Sequence, residues 1–403
     1  MRRPTLLLIT LAAVQFTHIV DFMLMMPLGP QLMRIFEIEP HEFSFLVSAY
    51  TLAAGISGFL ATFWLDRVDR KYALIGLYSL FTIGTIACAL APTYFWLLVA
   101  RTLTGAFGGI MSSLTLMIVG DVTPNERRGS AIGFVMASFS VASVFGVPFG
   151  LHMANLFSWH MPFFLLGGIS ALFVGLAFFS VPSIRAHLNP VVRRDFSPLA
   201  ILKEVANDAN QTRALLFTSL LTMGHFSIVP FLSASMVANV GFTEHDLTWI
   251  YFIGGTATIF TSQYIGRLTD RVGRSRVFIW GAGFACIPIL AITHMGPVPI
   301  YFALLLTTCF FVSSGARFIP ASAISTSVVV PEKRGTFMSR NSCVQQLTSG
   351  IAAYISGVIV AKAADGKIQN YPMVGYLAVG ATLLSMLLVQ KIRSREALEK
   401  TSS

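Results

Sequence analysis

Residues 162–181 read PFFLLGGISALFVGLAFFSV, and this stretch contains no charged side chain. A helix of about 20 apolar residues is long enough to cross the hydrocarbon core of a lipid bilayer. Because a backbone inside the bilayer must satisfy its own hydrogen bonds, we expect such a run to be helical. Comparable apolar runs recur along all 403 residues. We predict twelve membrane-spanning helices, at residues 6–33, 43–65, 72–91, 95–120, 130–156, 162–181, 214–240, 248–265, 277–295, 300–328, 337–361 and 373–390.

The overall composition supports a polytopic membrane protein. Hydrophobic residues make up 55% of the chain and charged residues 11%, whereas soluble domains carry about 25% charged residues. These values, with a mean hydropathy of +0.72, exclude a disordered chain, a coiled coil and a nucleic-acid-binding domain. The four cysteines lie in apolar stretches without metal-ligand or redox spacing, so we expect no disulfide framework, metal site or cofactor. The first run follows Arg2 and Arg3 as a signal peptide would, but it is too long and contains Asp21, so we predict a retained helix.

The basic residues predict the orientation of the helices. Most of the 28 Lys and Arg side chains fall in alternate loops, and the opposite set of loops holds only Arg34, Lys362 and Lys367. Because loops rich in Lys and Arg stay on the cytoplasmic side, we place both termini in the cytoplasm. The net charge of +10 is then explained by topology and does not indicate binding to nucleic acid.

Two pairs of loops indicate an internal duplication. Residues 66–71 read DRVDRK after the second run, and residues 266–274 read GRLTDRVGR after the eighth. A second pair, 124–129 and 331–335, follows the fourth and tenth runs after nearly the same interval. Parallel repeats of this kind are typical of membrane carriers. We therefore predict a six-helix N-terminal half (1–181), a cytoplasmic linker (182–213) and a six-helix C-terminal half (214–403).

The loops resemble those of the major facilitator superfamily, and the resemblance covers essentially the whole chain. Residues 266–274 are similar to the family's loop motif, whereas the N-terminal copy has Thr62 and Asp69 where the family has glycine. Arg101 and Gly105 are similar to the family's buried Arg-x-x-x-Gly element. The resemblance implies an all-α membrane protein with twelve transmembrane helices in two pseudo-symmetric six-helix halves, acting as a monomer in membrane lipid.

Residues 142–150, ASVFGVPFG, resemble the antiporter motif of the twelve-span drug/proton exchangers. Within it, Gly146 and Gly150 allow close helix approach and Pro148 allows a local bend. Ordinary packing is an alternative reading of the same three residues. The resemblance implies an efflux protein of the bacterial cytoplasmic (inner) membrane.

The loop motif predicts a gate. Its carboxylates can meet a helix N-terminus, while its arginines can reach carboxylates or carbonyls in the same half. Such contacts would form in one conformation and be released in the other. The alternative is that the charges only hold the loops in the cytoplasm. The predicted gating residues are Asp66, Arg67, Arg70, Asp270, Arg271 and Arg274.

Four ionisable residues inside predicted helices stand out: Asp21, Arg101, His225 and Arg317. A charge at mid-membrane costs about 2.5–3.5 kcal/mol, so each is a candidate functional residue. At about 1.5 Å per helical residue, Asp21 and Arg101 fall at compatible depths in the N-terminal half. His225 and Arg317 both fall near the midplane of the C-terminal half. His225 also occupies the repeat position of Asp21, since each precedes a phenylalanine and a nearby proline.

We assign Asp21 as the principal proton carrier, with Arg101 as its partner and His225 as a second proton-coupling residue. Two alternatives stay open: a permanent Asp21–Arg101 ion pair, and a hydrogen-bonded core histidine at position 225. The resemblance implies a central cavity lined by the first helix of each three-helix unit, where Met and aromatic side chains would suit lipophilic molecules. The predicted substrate-binding residues are Arg317, Gln15, Tyr50, Met26, Phe107, Met111, Phe226 and Phe310.

The sequence therefore predicts a secondary transporter that works by alternating access and exports a small lipophilic or drug-like compound in exchange for protons. A proton-coupled importer or a facilitator is the alternative, and a receptor-like member of the same fold is a third hypothesis. We do not expect an enzyme, because the sequence shows no Ser/His/Asp set, metal-ligand cluster or phosphate-binding loop.

Overall fold

The computed structural model describes residues 3–61, 64–185, 207–330 and 334–393. We number its spans 1 to 12 along the chain. Span 1 is Arg3–Leu24 with the extension Gly29–Ile35, span 2 is Pro40–Ala61, span 3 is Arg70–Ala89, span 4 is Tyr94–Val122, span 5 comprises Asn125–Met136, Ser138–Val141 and Val147–Leu156, and span 6 is Met161–Ser180. Span 7 is Ala209–Phe226 continued by Val229–Ser235, span 8 is Glu244–Val272, span 9 is Arg274–Thr293, span 10 is Ile300–Thr326, span 11 is Arg334–Ile359, and span 12 is Tyr371–Val389.

The helices confirm the predicted all-α fold with two six-helix halves. Among the described residues, ten helices are long and apolar enough to cross a membrane. Two further helices are long enough to cross a membrane but carry more polar side chains. They are span 8, with 29 residues, and span 11, with 26 residues. The exact limits of the halves stay a prediction, and residues 186–206 of the linker lie outside the described residues.

The helices of spans 1, 5 and 7 are interrupted inside the predicted apolar runs. Span 1 is interrupted by a turn at residues 25–28, which contains Pro27, and span 7 by a turn just before Pro230. A proline has no N–H to donate to the preceding turn, so the helix ladder is broken at these places. In span 5 the segment Ala142–Gly146, which precedes Pro148, is a π-helix. All three interruptions lie inside predicted apolar runs, where hydropathy gives no sign of them.

A short hairpin follows span 11. Strand β1, Ala361–Lys362, pairs antiparallel with strand β2, Ile368–Gln369. The Asn239 side chain accepts a hydrogen bond from the Ile368 N–H and donates one to the Ile368 carbonyl. We call this end of the bundle, with the loops between spans 1 and 2 and between spans 7 and 8, the outer end. The basic residues predict that it faces away from the cytoplasm.

The two halves meet along two pairs of helices. Spans 2 and 11 pack closely, because a Cβ atom added at Gly55 would lie 2.8 Å from the Leu347 side chain. Spans 5 and 8 pack through Gly255, where an added Cβ atom would lie 3.0 Å from the Ser143 carbonyl oxygen. Both contacts need small residues, which membrane helices use for close approach.

Polar and aromatic contacts join the halves at the outer end. Arg34, in the extension of span 1, forms an ion pair with Glu244 at the start of span 8. The Asn155 side chain of span 5 donates a hydrogen bond of 3.2 Å to the Glu244 carbonyl. The rings of Phe43 and Phe231 also meet edge to face across the halves, with centroids 6.2 Å apart. The two halves are therefore in direct contact at this end of the bundle.

Candidate functional site

A buried ion pair forms the centre of the N-terminal half. The Arg101 Nη1 atom of span 4 lies 2.7 Å from the Asp21 Oδ2 atom of span 1, and both side chains are 1% exposed or less. The same nitrogen lies 3.3 Å from the Asp21 carbonyl oxygen. The Thr85 hydroxyl of span 3 donates to Asp21 Oδ1 at 3.3 Å. Three helices therefore converge on one carboxylate.

The fourth helix of this group contributes an aromatic ring. The Arg101 guanidinium carbon lies 4.2 Å from the centre of the Tyr50 ring, at cation–π distance. Gly105, one turn after Arg101, makes this approach possible, because a Cβ atom there would lie 2.3 Å from the Tyr50 carbonyl oxygen. Tyr50, predicted as a substrate-binding residue, is fully buried beside the ion pair.

His18, which the sequence analysis did not select as a candidate, lies beside this cluster. It is 5% exposed, and neither ring nitrogen has a hydrogen-bond partner among the described residues. Its ring centroid lies 6.3 Å from that of Tyr50 and 6.0 Å from that of Phe81. Its position three residues before Asp21 was the available signal, because residues three apart share a helix face.

The breaks in spans 1 and 7 occur close to the predicted ionisable residues. Asp21 lies in the last turn of Arg3–Leu24, and His225 is the penultimate residue of Ala209–Phe226. Carbonyls at a helix end lack intrahelical partners. The Asp21 carbonyl accepts its hydrogen bond from Arg101. In span 7, Ser356 donates to the Ser227 carbonyl and Tyr371 donates to the Ile228 carbonyl. Tertiary contacts therefore support both breaks.

His225 faces span 10. Its Nδ1 atom lies 3.2 Å from the Ser314 hydroxyl oxygen, and its ring stacks on the Phe310 ring at 5.5 Å. The Phe318 ring meets it edge-on at 5.3 Å. The next residue, Phe226, contacts Phe22 of span 1 with centroids 5.9 Å apart. An aromatic cluster of the C-terminal half thus reaches the junction between the halves.

Arg317 differs from Arg101 in its surroundings. Its side chain is fully buried, and its Nη1 atom lies 3.3 Å from the Thr382 hydroxyl oxygen of span 12. Its Nε and Nη2 atoms have no hydrogen-bond partner in the described part of the chain. No carboxylate among the described residues forms an ion pair with it.

The other predicted cavity residues differ in exposure. Gln15 Nε2 donates to the Ser112 hydroxyl at 3.1 Å, between spans 1 and 4. Met26 and Met111 are buried in apolar packing, as is Phe310. Phe107 and Phe226 are half-buried. The structure thus places Gln15, Met26 and Met111 inside the helix packing.

The antiporter-like motif packs on both sides of Asp21. A Cβ atom at Gly146 would lie 2.3 Å from the Val20 side chain, and one at Gly150 would lie 2.7 Å from the Leu24 side chain. Pro148 is buried between them. Span 5 therefore packs closely on the end of span 1. Ser143 of span 5 contacts span 8 of the other half.

The corresponding arginines of the two loop motifs each contact a helix of their own half, one through a carboxylate and the other through a backbone carbonyl. Arg70 Nε lies 3.3 Å from the Asp121 carboxylate at the end of span 4. Arg274 Nη1 lies 3.2 Å from the Ala323 carbonyl near the end of span 10. Among the other predicted gating residues, Arg67, Asp270 and Arg271 are exposed, and the Asp66 side chain lies outside the described part of the chain.

Asp69 has a structural role that its place in the loop motif did not indicate. Its carboxylate caps span 3 by accepting from the Lys71 N–H at 2.9 Å. It also accepts from the Ser183 hydroxyl, the Ile184 N–H and the Arg185 guanidinium after span 6. Desolvation acts to raise its pKa, but the hydrogen bonds from Ser183, Arg185 and the two N–H groups prevail and lower it to about 2. An aspartate just before an apolar run is an N-cap signal that could have revealed this role.

Replacing Asp69 with alanine is expected to lower the free energy of unfolding by about 1–2 kcal/mol, mainly through the lost cap. The contact to Arg185 adds little, because that side chain is 65% exposed. A carboxyl with a lowered pKa stabilises the fold above its unfolded value, and this stability is lost as pH falls through about 2. The difference from wild type should therefore be constant between about pH 5 and 8. Thermal unfolding at several pH values measures it.

The exposed Asp365 provides a matched control for that experiment. Asp365 accepts one hydrogen bond from the Lys367 N–H in an exposed turn, so Asp365→Ala should lower the unfolding temperature much less than Asp69→Ala. A difference between wild type and Asp69→Ala that varies across this pH range would contradict the assignment.

Comparisons with known proteins agree on one family. The sequence profile of the Major Facilitator Superfamily matches residues 11–233 and 214–402. Inner membrane transport protein YdhP of Escherichia coli (strain K12) is 23% identical over 365 residues, 89% of this chain and 90% of that protein. Probable sugar efflux transporter of Helicobacter pylori (strain G27) is 24% identical over 257 residues, 64% of this chain and 63% of that protein. The crystal structure of a D-xylose-proton symporter has a TM-score of 0.74 at 16% identity, over 94% of this chain and 96% of that one.

Proposed function

The chain belongs to the Major Facilitator Superfamily and is an integral membrane transporter, and from this premise we propose that it exports a small lipophilic compound in exchange for protons. The transporter works by alternating access of its two halves. Asp21 carries the proton. The observation that supports this role is a buried carboxylate, paired with a buried arginine, at the place where span 1 is broken.

Protonation of Asp21 changes the contact that holds this break. In the ion pair, Arg101 binds both the carboxylate and the carbonyl of Asp21. A proton on the carboxylate removes its negative charge, and the guanidinium loses its counterion. Since the Coulomb attraction between the two opposite charges is then lost, the end of span 1 is held less firmly. Proton binding therefore biases the position of a broken helix.

The antiporter-like motif carries this movement to the other half. Gly146 and Gly150 contact Val20 and Leu24, on either side of Asp21. Ser143, in the same stretch of span 5, contacts Gly255 of span 8. A displacement of span 1 must therefore move span 5 at the surface where the halves meet, because packed helices do not deform continuously.

The remaining predicted residues take their roles from this scheme. The loop contacts of Arg70 and Arg274 hold paired helices within one half, and Asp66, Arg67, Asp270 and Arg271 serve the gate between states. His225 is the second proton-coupling residue. Substrate binds at the junction between spans 1, 4, 7 and 10, where Phe226 meets Phe22. The protein acts as a monomer, with both termini in the cytoplasm of a bacterial cell.

A proton-coupled importer is the second candidate function. The observation that favours it is the fold shared with the D-xylose-proton symporter, while the similarity to Probable sugar efflux transporter favours export. The Asp21–Arg101 pair would serve export or import. The two functions therefore differ in whether protons and substrate move in opposite directions or in the same direction.

The test is proton movement in proteoliposomes that contain an internal pH dye. A panel of lipophilic compounds is added outside, and wild type is compared with Asp21→Asn and with the exposed control Asp365→Asn. We expect compounds to trigger proton movement in wild type and Asp365→Asn, and expect it to be lost in Asp21→Asn while substrate counterflow persists. Proton and substrate fluxes in opposite directions indicate antiport. Proton and substrate fluxes in the same direction indicate a proton-coupled importer. Proton-coupled flux unchanged by Asp21→Asn would reduce Asp21 to a structural residue.

A further inference from the structure

We propose that Arg317 forms an anion-binding site in the C-terminal half and that the transported compound is an aromatic carboxylate. This inference rests on the proposed transport function and specifies the class of its substrate. It starts from a difference between the two halves, each of which buries one arginine completely. Arg101 has the Asp21 carboxylate as its counterion. In the C-terminal half, the repeat position of Asp21 is occupied by His225, a side chain without negative charge.

The charge of Arg317 is therefore uncompensated. A guanidinium stays protonated in proteins and offers five N–H donors. The described residues provide one partner, the Thr382 hydroxyl at 3.3 Å from Nη1. A buried charge without a counterion is strongly unfavourable. The C-terminal half is thus complete only when an anion occupies this place.

The unpartnered atoms point to the shape of the anion. Nε and Nη2, which have no partner among the described residues, lie on the same edge of the guanidinium plane. This edge presents two parallel N–H groups, which match the two oxygens of a carboxylate. A lysine at the same position could not make this paired contact, because its ammonium is a single point charge.

The surroundings of Arg317 point to the rest of the ligand. The Nδ1 atom of His225 lies 3.2 Å from the hydroxyl oxygen of Ser314, three residues before Arg317 in span 10. The His225 ring also contacts the rings of Phe310 and Phe318. Phe226, beside His225, is half-buried and reaches Phe22 at the junction between the halves. Aromatic rings therefore extend from the helix that carries Arg317 to the junction. An aromatic ring with one carboxylate matches this combination of rings and positive charge.

The inference predicts an unusual response of the empty protein. Removing a buried charge that has a counterion destabilises a protein, because the other charge is left alone. Removing Arg317 leaves no carboxylate alone in the described part of the chain. Unliganded Arg317→Gln should therefore unfold at the same temperature as wild type or at a higher one. A clear decrease would show that Arg317 is a structural element and would overturn the proposal.

Binding is tested with three probes that share one ring system: 1-naphthoate, 1-naphthylmethanol and 1-naphthylmethylamine. Thermal unfolding of the purified protein in detergent and a zwitterionic buffer reports binding, because a ligand of the folded state raises the unfolding temperature. Wild type should respond most strongly to naphthoate. The apparent Kd for naphthoate should rise at least tenfold in Arg317→Gln, and less in Arg317→Lys, which keeps the charge. The exposed Arg276→Gln is the matched control and should behave as wild type.

Sodium chloride is added in a separate series to distinguish an inorganic anion from an organic one. A chloride response that equals the naphthoate response at the same concentration would overturn the assignment of an organic substrate. Equal responses to all three naphthyl probes would overturn the anion site. The measurement uses no proton gradient, so its failure is separate from a failure of proton coupling through Asp21.

Discussion

Arg101→Gln is expected to lower the free energy of unfolding by about 3–5 kcal/mol, the usual effect of removing one partner of a buried ion pair. The variant leaves the Asp21 carboxylate fully buried with the Thr85 hydroxyl as its remaining side-chain hydrogen bond. It also removes the donor to the Asp21 carbonyl at the break of span 1. Thermal or denaturant unfolding in detergent measures the change.

The double variant Asp21→Asn, Arg101→Gln is the control for this prediction. Both partners are then neutral and can hydrogen bond to each other, so no charge is left buried alone. We expect the double variant to be clearly more stable than Arg101→Gln, which gives a large coupling energy in the double-mutant cycle. Additive effects of the two substitutions would contradict a direct ion pair. The double variant should still lack proton movement, and this separates the structural role of the pair from its role in coupling.

Gly105→Ala is expected to disrupt the packing of span 4 strongly. The added Cβ atom would lie 2.3 Å from the Tyr50 carbonyl oxygen and 2.7 Å from its Cα atom. Backbone atoms cannot turn away as a flexible side chain can, so spans 2 and 4 must separate. Overpacking of this kind costs about 1–3 kcal/mol. The separation also moves the Tyr50 ring from the Arg101 guanidinium, and we expect proton-coupled flux to fall with stability.

The same substitution at Gly120, in the same helix, is the matched control. No atom lies within 4 Å of a Cβ atom added there, and alanine favours a helix by about 0.5–1 kcal/mol over glycine. Gly120→Ala should therefore unfold at the wild-type temperature or slightly above it. A Gly105→Ala variant as stable as Gly120→Ala would contradict the close packing of spans 2 and 4.

Much of the candidate site could be predicted because ionisable residues are rare inside apolar runs. Asp21 and Arg101 were singled out for that reason, and depth along each helix placed them together. His18 and Thr85 were missed because a histidine or a threonine inside a membrane helix is compatible with ordinary packing. Asp69 was noted only as a departure from a glycine motif, although its carboxylate connects the start of span 3 with the end of span 6.

By itself, the sequence determined the all-α membrane fold and its spans, because hydropathy is a property of local stretches. The orientation and the internal duplication stay predictions. The sequence could not predict the breaks in spans 1 and 7 at their exact residues, since the support for a broken helix comes from distant side chains such as Ser356 and Tyr371. Tertiary structure also decided which buried charge has a counterion. Arg101 and Arg317 are both isolated charges within apolar runs of the sequence, but a charge is compensated only by what lies near it in space. Folding places a carboxylate beside Arg101 and, among the described residues, forms no ion pair with Arg317.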